Sequence, residues 1–272
     1  MSNLTRRTIT GIFLVLLIIF SLVISRYAFS GFFLVITILG LWEFYTLLEK
    51  VNIRPNKVLG TIAGAFLFIS NALIALELAP LEILLVNFLL VFLVFLLELY
   101  RNIPNPFTNV AFTFFGLLYV AVPFALLNYF PNPGFEAGTY NYKIVLGFFF
   151  MIWVNDSGAY LVGTTFGKNK LFERVSPKKT WEGTSGGGIL CLITVWIIGV
   201  HYTEISKFNW FIIGCIVIVL NTYGDLFESM LKRSINTKDS GNLLPGHGGI
   251  LDRFDGFLMA TPFVFVYLLI IS

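Results

Sequence analysis

Asp225, Glu228, Ser229 and Lys232 stand at intervals of i, i+3, i+4 and i+7 near the end of an apolar run. That spacing lines them along one face of a helix. Asp252 and Asp255 repeat the i, i+3 interval at the start of the next apolar run. If the two runs are antiparallel neighbours, both acidic sets meet at one membrane face. Carboxylates crowded into a poorly hydrated place disfavour one another's charge, so the pattern calls for a positive partner. One alternative is internal pairing with Lys232, Arg233 and Arg253. The other is a hard divalent cation such as Mg²⁺, which binds one or two carboxylates and completes its shell with water and substrate phosphates.

The basic residues fit phosphate chemistry. Lys232, Arg233 and Lys238 follow the first acidic set, and Lys178 and Lys179 lie in an earlier polar stretch. Arg grips phosphate through two parallel bonds, and Lys supplies a point charge. Pro245-Gly246-His247-Gly248-Gly249 permits a tight backbone path whose N–H groups can face anionic oxygens. Asn155-Asp156 sits deep in an apolar run, where an ionisable residue is a functional candidate by default. Glu43 lies nearer the end of its own run and is expected to reach the interface. Gly186-Gly187-Gly188 is expected to let helices approach closely rather than to bind nucleotide.

The elements that must position these residues are membrane helices. The chain has 272 residues, 57% hydrophobic and 12% charged, with a mean hydropathy of +0.85. A soluble domain carries about twice that charged fraction. A bilayer core takes about 20 apolar residues per helix. Nine runs qualify, at 8–25, 29–48, 58–76, 81–99, 107–129, 144–165, 184–201, 208–231 and 250–271. The third and fourth are separated only by Glu77-Leu78-Ala79-Pro80 and Glu82. The expected fold is therefore all-α, a polytopic bundle of about nine transmembrane helices. With the N-terminus in the cytoplasm, fifteen of the eighteen Lys and Arg fall on the cytoplasmic side and three on the other. This is the bias that orients membrane proteins.

The expected organisation is about five helices over 1–142, then a catalytic region over 143–272 with cytoplasmic loops 166–183 and 232–249. Arg6 and Arg7 before a long apolar run read as a retained first span rather than a cleaved signal. Cys191 and Cys215 lie in apolar runs without a ligand cluster, so they read as buried small residues rather than a disulfide or zinc site. A net charge of +3 is too small to argue for nucleic acid.

Three strings together resemble the phosphatidate cytidylyltransferase family. The first runs from Ser229-Met230-Leu231-Lys232-Arg233 through Lys238-Asp239 and Pro245-Gly246-His247-Gly248-Gly249 to Asp252-Arg253-Phe254-Asp255. It fixes over a dozen positions in about 27 residues. The second is Asn155-Asp156-Ser157-Gly158-Ala159-Tyr160 with Gly163 and Phe166-Gly167-Lys168. The third is Ser176-Pro177-Lys178-Lys179-Thr180-Trp181-Glu182-Gly183. The N-terminal half matches only in being hydrophobic.

The resemblance implies that CTP and phosphatidic acid give CDP-diacylglycerol and pyrophosphate, with Mg²⁺ required and a second cation, such as K⁺, near the first. It also implies a membrane homodimer, in the plasma (inner) membrane if the source is bacterial, with its site facing the cytoplasm. Asp225 and Asp252 match positions expected to hold metal. Asp225, Asp252, Asp255, Lys232, Arg233 and His247 are the expected catalytic residues. Asp156, Ser176, Lys178, Lys179, Thr180, Glu182, Ser229, Lys238 and Asp239 are expected to bind substrate. The nearest competing reading is a CTP-dependent lipid-alcohol kinase, which would release CDP instead of pyrophosphate. A transporter is a weaker rival, because the acids gather at one face and no repeat is visible.

Overall fold

Each apolar run becomes a helix, and local chemistry sets where it stops. The computed structural model describes residues 3–134, 140–237, 240–241 and 248–272. Helices α1 (Asn3–Ile24) and α2 (Arg26–Glu49) are separated by one extended residue, Ser25. Its hydroxyl accepts a hydrogen bond from the Ala28 N–H at 3.1 Å, capping α2. Helix α3 (Lys57–Ala75) is capped by Asn56. It ends in a Schellman motif: the Leu78 N–H reaches Leu73 O at 2.8 Å, and the Glu77 N–H reaches Ile74 O at 2.9 Å. Glu77 takes the left-handed conformation the motif needs, with φ 61°. This stop, followed by Pro80 and a 3₁₀ turn over Leu81–Leu84, separates α3 from α4 (Leu85–Arg101).

The fifth run is one continuous path through α5 (Pro106–Gly116), a π turn at Leu117–Ala121 and α6 (Val122–Leu127). The π turn falls just ahead of Pro123, whose missing N–H breaks the i→i−4 ladder. Then come α7 (Tyr142–Phe166), α8 (Trp181–His201), α9 (Lys207–Ser234) and α10 (Leu251–Ile271). Among the described residues, eight helices are long and apolar enough to cross a bilayer, and α1 adds the apolar stretch Ile9–Ile24. The protein is an all-α polytopic bundle. Its outward faces carry the large apolar groups that lipid requires: Phe88, Leu89, Phe92 and Leu99 of α4 are each more than 60% exposed.

The loop between α7 and α8 is more ordered than its composition suggests. It folds as an antiparallel hairpin of β1 (Lys170–Phe172) and β2 (Ser176–Thr180). Cys191 and Cys215 are both free thiols, the first buried.

The described residues divide into two compact units. One comprises Met1–Tyr129 with Ile235–Phe254, the other Phe130–Ser234 with Asp255–Ser272. In the first, the Tyr45 hydroxyl donates to Thr113 O at 2.8 Å, and the ring lies between Gly60 and Gly116, where a Cβ would collide with it. Buried Glu98 accepts from Arg101 at 2.7 Å and from Asn109 Nδ2 at 3.2 Å.

In the second unit, α7 and α8 pack backbone to backbone. A Cβ on Gly187 would lie 2.5 Å from Asn155 O, and one on Gly183 would lie 2.8 Å from Ala159 O. Gly186 faces Val162, and Gly188 faces Ile218 of α9, so this glycine run serves helix approach. Lys143, at the start of α7, donates to Glu204 in the α8–α9 connection at 2.6 Å. Burial is the largest influence on the Glu204 carboxyl and pushes it up, but hydrogen bonds from Lys143, its own backbone and Asn141, with the Lys143 charge, together hold the group below its ordinary value.

Candidate active site

Glycines bring α9 and α10 together where the acids lie. A Cβ on Gly224 would sit 2.5 Å from Asp255 O and 2.7 Å from Gly256 Cα. Farther along, the Tyr267 hydroxyl donates to Asn209 Oδ1 at 2.9 Å. The two helices therefore run antiparallel over this stretch, and Asp255 faces α9. Its carboxylate lies within electrostatic reach of Asp225 and Glu228 of α9 and Asp156 of α7. Asp156 Oδ1 accepts a 2.5 Å hydrogen bond from Asn221 Nδ2, which joins α7 to α9. Asp156 thus belongs with the α9 acids, although 69 residues separate it from Asp225 in the chain.

Two lysines reach into the same acidic group. Lys179 of β2 places Nζ 2.6 Å from Asp225 Oδ2. Lys232 pairs with Glu228 one turn away on α9, and the Glu228 carboxylate is buried, with 1% of its side chain exposed. The Ser229 hydroxyl leans toward Asp225 Oδ1 at 3.4 Å. Ion pairs as poorly solvated as Lys232–Glu228 hold only while both partners stay. Among the described residues joined by these contacts, four carboxylates meet two ammonium groups. Among the described residues, no three His, Cys, Asp or Glu side chains close on one point as a complete metal cage.

The hairpin that presents Lys179 is tied to α8 by two predicted substrate-binding residues. The Thr180 hydroxyl accepts from the Gly183 N–H at 3.2 Å and caps α8. Glu182 accepts from the Lys168 and Asn169 N–H groups at 3.1 Å and from Asn169 Nδ2 at 2.6 Å. Ser176 is half-buried and Lys178 is exposed on the same strand. Arg233 is exposed at the end of α9. Lys238, Asp239 and His247 lie outside the described residues.

Asp252 is held within the first unit. Its Oδ2 accepts from the Gly249 N–H at 2.8 Å, the Ser240 N–H at 3.0 Å and the Ser240 hydroxyl at 2.8 Å. Beside it stands Glu43 of α2, only 4% exposed. Its carboxylate accepts from the Ile250 N–H at 2.8 Å, the Leu251 N–H at 3.0 Å and the Ser240 hydroxyl at 2.5 Å. The expectation that Glu43 reaches the interface therefore fails, because its donors lie inside the protein. Glu43, Ser240 and Asn221 have places here that sequence reasoning did not give them. For Glu43 the available signal was an acid between Trp42 and Phe44 in an apolar run.

Residues 5–271 match the family described as the cytidylyltransferase family. The chain is 31% identical to a phosphatidate cytidylyltransferase of Bacillus subtilis (strain 168), with both chains covered in full. It is 36% identical to a phosphatidate cytidylyltransferase of Staphylococcus aureus (strain COL) over 60% of each chain. A Staphylococcus epidermidis protein of the same name is 39% identical over the same share of each.

Proposed function

We infer, from the premise that this chain belongs to the cytidylyltransferase family, that it transfers the cytidylyl group of CTP to phosphatidic acid, giving CDP-diacylglycerol and pyrophosphate. The observation that carries this reading is the full-length likeness to a phosphatidate cytidylyltransferase. In the reaction, a phosphate oxygen of the lipid attacks the α-phosphorus of CTP. A new P–O–P link forms, the bond from the α-phosphorus to the bridging oxygen breaks, and pyrophosphate leaves with that electron pair. The attacking phosphate is already anionic near neutral pH, so no strong general base is required. What remains is alignment and charge neutralisation.

Lys179 and Lys232, which pair with Asp225 and Glu228, and their chain neighbours Lys178 and Arg233 are suited to hold the phosphates. The oxygen-only donor set, rich in carboxylates relative to lysines, fits a hard divalent ion better than a soft one. Asp225 and Asp252 would hold Mg²⁺, with a second cation such as K⁺ nearby. Mg²⁺ held there would withdraw charge from the phosphoryl oxygens of CTP, making the α-phosphorus more open to attack and stabilising the departing pyrophosphate. The assignment rests on the signature positions that both residues match. The proposed enzyme is a homodimer, in the plasma membrane if its source is bacterial, with the site open to cytoplasmic CTP and to lipid.

The direct test incubates purified protein with CTP and phosphatidic acid. CDP-diacylglycerol and pyrophosphate are expected in equal amounts. Release of CDP with phosphorylation of a lipid alcohol would sink the reading in favour of a kinase.

Lys179 offers a second test. Its ammonium rests on Asp225, from which it can move to a triphosphate oxygen. Lys179→Ala is expected to raise the KM for CTP on the order of tenfold to a hundredfold, the loss typical of a hydrogen bond to a charged group. An effect confined to the KM for phosphatidic acid would reassign the hairpin to the lipid.

A further inference from the structure

We propose that Glu43 is a positioning residue for the reaction: its buried carboxylate anchors the start of α10 and the chain before it, and so fixes Asp252. The proposal rests on the reading of Asp252 as a residue of the reacting centre.

The geometry is that of a helix cap supplied from elsewhere in the fold. The first N–H groups of any helix lack intrahelical acceptors. At α10 the N–H groups of Ile250 and Leu251 both point to Glu43, one to each carboxylate oxygen. An anion at this end also complements the helix dipole. The acid that accepts these two bonds comes from α2, more than 200 residues earlier.

Ser240 links this cap to Asp252. Its Oγ lies 2.5 Å from Glu43 Oε1 and 2.8 Å from Asp252 Oδ2. One hydroxyl proton serves two acceptors, so Ser240 couples the positions of both carboxylates. The Ser240 and Gly249 N–H groups then keep Asp252 Oδ2 hydrogen-bonded whichever way the hydroxyl turns.

The glycines here have a matching explanation. Gly248 adopts φ +80°, and a Cβ there would also collide with Asp252 Oδ2. A Cβ on Gly249 would collide with the Glu43 carboxylate and the Ser240 hydroxyl, and one on Gly241 would lie 2.6 Å from Glu43 Oε2. Glycine at 241 and 249 leaves room for the acid, and glycine at 248 supplies the turn. Glu43 thus sits in a recess walled by residues 240–241 and 249–251.

Glu43→Gln keeps the size of the side chain but replaces one acceptor oxygen with an N–H₂ donor that faces donors. Amide hydrogen exchange of the purified protein reads the anchor directly. Exchange at Gly249, Ile250 and Leu251 is expected to speed up about tenfold or more, the factor set by one lost charge-assisted hydrogen bond, with α7 and α8 unchanged. In turnover assays kcat is expected to fall by about tenfold or more while the KM for CTP stays within about twofold. Ser240→Ala is expected to shift both readouts the same way but less, and adding it to Glu43→Gln should produce less than the combined single effects.

Wild-type exchange and kcat in Glu43→Gln would overturn the proposal. So would faster exchange spread evenly along the chain, which marks a general packing role. If Glu43→Gln fails to fold, Ser240→Ala decides: wild-type exchange at 249–251 with wild-type kcat rejects the anchor. Should the wild type make no CDP-lipid, the functional reading fails, while the exchange measurement still judges the anchor.

Discussion

Asp225→Asn and Asp252→Asn are each expected to lower turnover by on the order of 10³-fold or more while the protein remains folded in the membrane. The magnitude follows from removing part of an electrostatic centre that supplies several kcal/mol at the transition state, at about 1.4 kcal/mol per decade of rate. Asparagine keeps the shape and one acceptor but removes the charge. At Asp225 the change also releases Lys179, which rests on that carboxylate. At Asp252 the neutral amide directs N–H donors toward a place already filled by the N–H groups of Ser240 and Gly249. Turnover measured across a Mg²⁺ series, beside gel filtration of the same samples, separates lost chemistry from lost folding. Near-normal rates at limiting Mg²⁺ in either variant would remove that residue from the metal assignment.

Gly224→Val is expected to damage both stability and turnover. A Cβ at 224 meets two backbone atoms of α10, Asp255 O and Gly256 Cα. Backbone cannot swing aside as a side-chain tip can, so the helices must part. Overpacking of this kind costs about 1–3 kcal/mol, equivalent to roughly 2–4 °C in the unfolding midpoint per kcal/mol for a chain near this size. Parting the helices also draws Asp225 away from Asp255. Gly31→Ala is the matched control, since nothing lies within 4 Å of a Cβ there. An unchanged midpoint and rate in Gly224→Val would show that the α9–α10 approach is looser than the geometry requires.

Hydrophobicity made the spans legible because each helix in lipid must satisfy its own backbone and cover it with apolar side chains. Even the narrow break after Ala75 left a trace in Pro80, although the Schellman turn at Glu77 uses a residue that rarely takes that conformation. The β hairpin left almost none: its strands of 3 and 5 residues, KLF and SPKKT, are too short and too polar to show an alternating pattern. Helical spacing correctly grouped Asp225 with Glu228. It was blind to Asp156, whose partner Asn221 lies 65 residues away. Glu43 shows the same limit more sharply. The rule that flagged Asp156, an ionisable group within an apolar run, applied to Glu43 as well, but its nearness to a helix end suggested an escape to water. Only the folded arrangement reveals three donors converging on it.

The span between Glu43 and its donors, 197 to 208 residues, sets an order of events during biosynthesis. Ribosomes add about 5–20 residues per second, so the second helix is made roughly 10–40 s before the amides that will receive its acid. Throughout that interval a carboxylate destined for burial must be carried by a nascent chain without its native donors. The N-terminal unit therefore cannot mature as an early, self-sufficient anchor. The bonds to Glu43 can close only once residues 250 and 251 have been synthesised.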